Sequence, residues 1–72
     1  MADTVYSKSE IVGSSTVGVD DAIKGAVTRA STTISQIEWF EVTEIRGHVE
    51  DGEVAHFQVT LEVGFPLIDT KA

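Results

Sequence analysis

The sequence predicts an α+β fold with element order β-α-β-β, its three-stranded antiparallel sheet curled around one helix. Three observations carry that prediction. Apolar residues recur at three- and four-residue spacing between Val19 and Ile34, the period changes to two from Gln36 onward, and Asp51-Gly52 divides the alternating region in half.

The first strand is expected over Thr4–Ser15, rich in Val, Ile, Tyr and Thr and closed by Gly13-Ser14-Ser15. The helix follows, because Val19, Ile23, Ala26, Val27, Ala30 and Ile34 fall in one stripe about 100° wide. Ser15 or Thr16 is the expected N-cap, and Asp20 and Asp21 lie near the start, where the helix dipole favours anions. The outer face carries Thr28, Ser31, Thr32 and Ser35, poor helix formers that are met either by another subunit or by solvent.

Two strands, Gln36–Glu50 and Glu53–Phe65, flank Asp51-Gly52, a strong signal for a two-residue type I′ hairpin. That turn pairs Trp39 with Gly64, Glu41 with Glu62, Ile45 with Gln58 and Arg46 with Phe57. Simple alternation then sends Phe40, Val42, Ala55, Phe57, Val59, Leu61, Val63 and Phe65 to the helix side. Trp39, Glu41, Thr43, Ile45, Val49, Val54, His56, Gln58, Thr60 and Glu62 go to the other side, and no helix remains in the chain to cover them. Pro66 is expected to stop the ladder, and residues 68–72 form a flexible C-terminal tail.

A single-helix crossover makes the second strand parallel to the first, so an antiparallel sheet needs the last strand in the middle. The Trp39 strand is then an edge, and a long edge invites pairing with another chain. Size points the same way. A chain of 72 residues buries only about 60% of the surface it exposes unfolded. It has no cysteine, so neither disulfides nor thiolate-bound metals can compensate. A homo-oligomer is expected on both grounds.

Charge and hydropathy narrow the function. Twelve acidic against five basic residues give a net charge of -7, which disfavours nucleic acid and polybasic membrane contact. No apolar run approaches the ~20 residues of a spanning helix, and Met1–Glu10 lacks the apolar core of a signal peptide. A cytoplasmic location is expected.

Catalytic motifs are missing. There is no Cys, no G-x-S-x-G, no P-loop and no G-x-G-x-x-G, so no catalytic residue is assigned and no enzyme is expected. Simple alternation places His48 and His56 on opposite faces, so they cannot share a metal within one chain. A site built across subunits stays open, and no metal ligand is assigned. Glu41 and Glu62 face each other as like charges, at a wet edge or with a cation or a neighbour's Lys or Arg between them, the wet edge being favoured.

Trp39 is the residue to explain. It anchors a subunit interface, or it stacks a flat ring beside the open space that Gly64 leaves. Gln58 offers an amide that both donates and accepts. Its opposite, Ile45, is six residues from Trp39, roughly 20 Å along a strand, so the two serve one planar ligand only from different subunits.

These residues carry a family resemblance. Ile37-Glu38-Trp39-Phe40-Glu41-Val42, Glu44-Ile45-Arg46-Gly47-His48, His56-Phe57-Gln58-Val59-Thr60 and Val63-Gly64-Phe65 resemble the dodecins. So do Glu10-Ile11-Val12-Gly13-Ser14-Ser15 and Asp21-Ala22-Ile23. The resemblance implies a dodecin-like flavin-binding domain over residues 1–67, assembled into a hollow homododecamer. It implies that two flavins stack at a two-fold axis between the tryptophans of two subunits, with Trp39 on the ring and Gln58 on its polar edge. Arg46 matches the arginine of bacterial-type dodecins that prefer FMN and would assist with the phosphate or with assembly; alternation places it on the helix side, so twist, a bulge beside Gly47 or an end position must bring it to the ligand.

The function implied is flavin storage and sequestration, with FMN or riboflavin as ligand and protection from flavin photochemistry. Coenzyme A is a further ligand of some relatives, implying Arg29 and Thr33. Pro66 stands where the family commonly has the arginine of G-F-R-L and supplies no charge for a phosphate. The alternative is a structural homo-oligomer with Trp39 as interface anchor.

Overall fold

The structure is a computed structural model and describes residues 3–67; the expected tail, 68–72, lies outside them. Four elements follow in the expected order: β1 (Tyr6–Ser15), α1 (Val19–Ala30), β2 (Trp39–Glu50) and β3 (Glu53–Pro66). The sheet is antiparallel with strand order β1-β3-β2, so the last strand is central and the Trp39 strand is an edge.

Helix α1 lies on β1 and β3. Val59, Leu61 and Val63 of the central strand are fully buried beneath it with Ala22, and Ile11, Val19, Ile23, Ala26, Val27, Ile34 and Ile37 pack around them. Gly13 makes the close approach feasible, since a Cβ there would collide with the Ala22 carbonyl and sit 2.9 Å from the Ala26 methyl. The alternation argument expected Phe40 and Val42 to be buried as well. Within one chain both are exposed, because the helix stops short of β2.

Local chemistry sets the element ends. The expected Ser15 or Thr16 cap is corrected: the cap position is Gly18, with no side-chain cap bond. Ser15 acts one step earlier, where its hydroxyl accepts from the Val17 and Gly18 amides and donates to Asp21 at 2.8 Å. The helix ends at Ala30 rather than Ile34. The Thr32 and Thr33 hydroxyls donate to the Arg29 and Ala30 carbonyls, which satisfies the last turn without further helix.

Strand β2 begins at Trp39 rather than Gln36, because Gln36 takes φ 62°, a left-handed conformation no strand can hold. Pro66 closes β3 and still sits opposite Tyr6, one residue beyond the expected end.

Asp51 and Gly52 both have positive φ (52° and 78°), as the type I′ turn requires. The register it sets does not run unbroken. Strand β3 carries one extra residue at Ala55 and β2 one at Thr43, so residues 44–48 are shifted by one against 56–60. Outside the two bulges Trp39 still faces Gly64 and Glu41 still faces Glu62. Between them Ile45 faces Val59, Arg46 faces Gln58, Gly47 faces Phe57 and His48 faces His56.

Paired residues share a face, so three expectations are corrected together. Ile45 joins the helix side, Arg46 joins the Gln58 side, and His48 and His56 lie side by side instead of on opposite faces.

The molecule is long. Its extents are 59 × 20 × 14 Å and its radius of gyration is 15.4 Å, against about 11 Å for a compact chain of this length. The hairpin therefore projects beyond its own core.

Candidate functional site: the open face of the sheet

The face turned away from α1 is organised in rows across the three strands. Lys8, Gly64 and Trp39 form one row, Glu10, Glu62 and Glu41 the next, Val12, Thr60 and Glu44 a third, Ser14, Gln58 and Arg46 a fourth, and His56 and His48 a fifth.

Trp39 opens β2 and lies across the backbone of Gly64. A Cβ on Gly64 would overlap the six-membered ring of the indole. The open space expected beside the indole is therefore filled by the indole itself, and glycine is what lets the ring lie there. Tyr6 meets it edge-on, with ring centroids 5.1 Å apart and planes at 69°. This edge-to-face contact holds one side of the indole while the half-buried ring keeps area for a second planar group.

Lys8 resolves the Glu41–Glu62 pair. Its ammonium donates to Glu41 at 2.9 Å and reaches Glu62 at 3.1 Å, so the favoured wet edge gives way to a bridging cation from β1. Hydrogen bonding to Lys8, then its charge, holds the Glu41 carboxyl below the usual carboxylate range, and the Trp39 indole N–H adds a smaller push the same way. The hydrogen bonds to Glu41 and then Glu62 raise the Lys8 ammonium above its ordinary value. Neither Lys8 nor Tyr6 stands out in the sequence, because no turn links β1 to β3 and nothing local fixes their register.

Gln58 and Arg46 sit opposite each other on this face, six residues along β3 from Gly64, or about 20 Å. The Thr43 bulge, three residues ahead of Arg46, is what carries the guanidinium round from the helix side. Among the described residues no ion pair engages Arg46. One chain thus brings Arg46 and Gln58 together and holds Trp39 apart from them.

Arg29 and Thr33 are placed elsewhere. They line a groove of about 290 Å³ between the end of α1 and β1, with Ile11, Val12, Ala26 and Thr32, and share no row with Trp39 or Gln58.

Residues 5–67 match the sequence profile of the dodecin family. The chain belongs to that family. It is 48% identical over 66 residues to the dodecin of Thermus thermophilus, an alignment covering 92% of this chain and 96% of that protein. The dodecin structure from Streptomyces coelicolor superposes with a TM-score of 0.89 at 51% identity, covering 97% of this chain and 100% of that one. A calcium dodecin from Mycobacterium tuberculosis, described with a calcium-binding site, is more distant at 28% identity and TM-score 0.76, covering 94% of this chain and 97% of that one.

A flavin fits the residues present. The indole seated on Gly64 offers a flat apolar platform, and the Gln58 amide offers a donor and an acceptor to a heteroaromatic edge. No helix among the described residues is long and apolar enough to cross a membrane, and no cluster of three or more metal-ligating side chains is preassembled there.

Proposed function

We propose that this chain is a non-enzymatic flavin-binding protein that stores and sequesters FMN or riboflavin in the cytoplasm as a homododecamer. The observation that carries the reading is the Trp39 indole laid across Gly64 while Gln58 and Arg46 share the same face about 20 Å away. A single flavin ring cannot touch both ends of that face in one chain. Two copies meeting face to face bring the Trp39 of one toward the Gln58 and Arg46 of the other.

In this arrangement Trp39 stacks the isoalloxazine, Gln58 hydrogen-bonds its polar edge, and Arg46, which no carboxylate engages among the described residues, is available for a phosphate or for assembly. A bound flavin supplies the redox-active, light-absorbing ring. The chain's residues cover that ring, orient its edge and exclude water from it. With a flavin bound, the Trp39 indole would lie close enough to donate an electron to the excited ring and so quench its emission.

Coenzyme A would use the Arg29–Thr33 groove, where Arg29 is the cation on hand and Pro66 adds none. The apolar side chains that β2 leaves exposed support assembly: Phe40, Val42, Ile45 and Val49 are too many to leave in water on a chain this small.

Titrating apo-protein into dilute FMN and, separately, riboflavin tests the reading through flavin fluorescence. Saturable quenching at equal numbers of flavins and chains is expected, with the tighter ligand naming the physiological one. Full emission with protein in large excess would overturn it, and Trp39 would then stand as an interface anchor.

A further inference from the structure

The far end of the open face holds a feature that the flavin reading does not use. His48 and His56 are directly opposite each other on adjacent strands, their ring centroids 5.5 Å apart and their planes within 18° of parallel. Without the extra residue at Ala55, the Asp51-Gly52 turn would place Ala55 opposite His48 and turn the two imidazoles apart. The neighbouring Gly47 matters too, since a Cβ there would come within 2.9 Å of the His56 carbonyl oxygen. Glu50 adds a carboxylate oxygen 3.4 Å from His48 Nε2.

We infer that His48 and His56 form a cross-strand chelate for a divalent transition-metal ion of the zinc or nickel kind, with Glu50 as a third, movable ligand. Two neutral imidazoles and one carboxylate are a donor set that such ions take, with water filling the remaining position. Calcium and magnesium, which require oxygen ligands, are not served by it.

The donors are close rather than preassembled. His48 is 57% exposed at its side chain and Glu50 is 68% exposed, so both side chains have room to turn toward a shared ion. The strands are fixed by the type I′ turn and the bulge, so ligand spacing is set in advance.

The test is calorimetric titration of Zn²⁺ into the full chain in its native assembly at neutral pH, without flavin. Saturable uptake is expected, weakened in His48→Gln and in His56→Gln by at least the about 10–100-fold that loss of an outer-shell partner costs. Co²⁺ should show a visible absorption spectrum carrying nitrogen ligands that either variant loses, while Ca²⁺ gives no saturable heat. His48 is exposed and remote from the core, so His48→Gln reports on the site even if His56→Gln folds poorly. Absence of saturable Zn²⁺ uptake, or uptake undiminished in His48→Gln, would overturn the assignment. Either result leaves flavin quenching at Trp39 as a separate question.

Discussion

Strands β3 and β2 are neighbours of similar length in one sheet, yet their surroundings differ sharply. On the helix side, Val59, Leu61 and Val63 of β3 have no solvent exposure, while their partners Phe40, Val42 and Ile45 of β2 are exposed at 49%, 39% and 58%. The same residue types on the same side of the same sheet are core in one strand and surface in the other. The difference is the helix, which covers β1 and β3 and leaves β2 uncovered within the chain. One strand stabilises the subunit, and under the proposed function its neighbour serves assembly and the ligand.

Leu61→Ala strikes the subunit side of that contrast and carries the largest expected effect. Removing a fully buried leucine typically costs about 2–5 kcal/mol, to be read by denaturant unfolding at fixed protein concentration. Loss of well under 1 kcal/mol would mean the core is elsewhere. Ile45→Ser strikes the other side. Burial of such a side chain between chains is worth about 1.5–3 kcal/mol, so sedimentation velocity should show smaller species in the variant. An unchanged sedimentation profile would mean that β2 stays uncovered.

Trp39→Ala should weaken flavin binding by about 1–3 kcal/mol, a range borrowed from base–aromatic stacking. Gly64→Ala is expected to weaken it comparably, since the added methyl occupies the position of the indole. If Gly64→Ala binds flavin normally with unshifted Trp39 emission, the seating of the indole described above is wrong.

The smallest effect is electrostatic. Glu41 is held below the usual carboxylate range, so its share of stability is complete above its unfolded value and is lost as pH falls through the lower folded value. Lys8 is raised, so its share is complete below its unfolded value and is lost as pH rises through the raised folded one. Both side chains are about half exposed, and solvent screening keeps the contribution small. Lys8→Met should flatten the acid and alkaline limbs of stability against pH slightly. Limbs identical to the wild type would show that the bridge carries no stability.

The sequence makes the element order, the strand order, the type I′ turn and the Trp39–Gly64 and Glu41–Glu62 pairings legible, since period and turn chemistry are local properties. The two bulges leave no such local mark. Thr43 and Ala55 look like any strand residues, and each is extra only because of how the partner strand sits. That one gap in the reading displaced Arg46, Ile45 and the His48–His56 pair at once, because a shift of one residue turns every side chain over. Lys8 and Tyr6 were missed for a related reason, as β1 reaches β3 across a helix and no turn fixes its register. The helix end was misplaced because Thr32 and Thr33 can bond back to the last carbonyls and stop the helix while the apolar spacing runs on to Ile34.

Native mass spectrometry of the protein purified with FMN present tests most directly whether β2 and the open face are completed by further copies. The account predicts a closed dodecamer that retains flavin, and Trp39→Ala should keep the assembly while losing ligand. A chain that remains monomeric and flavin-free at working concentration would contradict it.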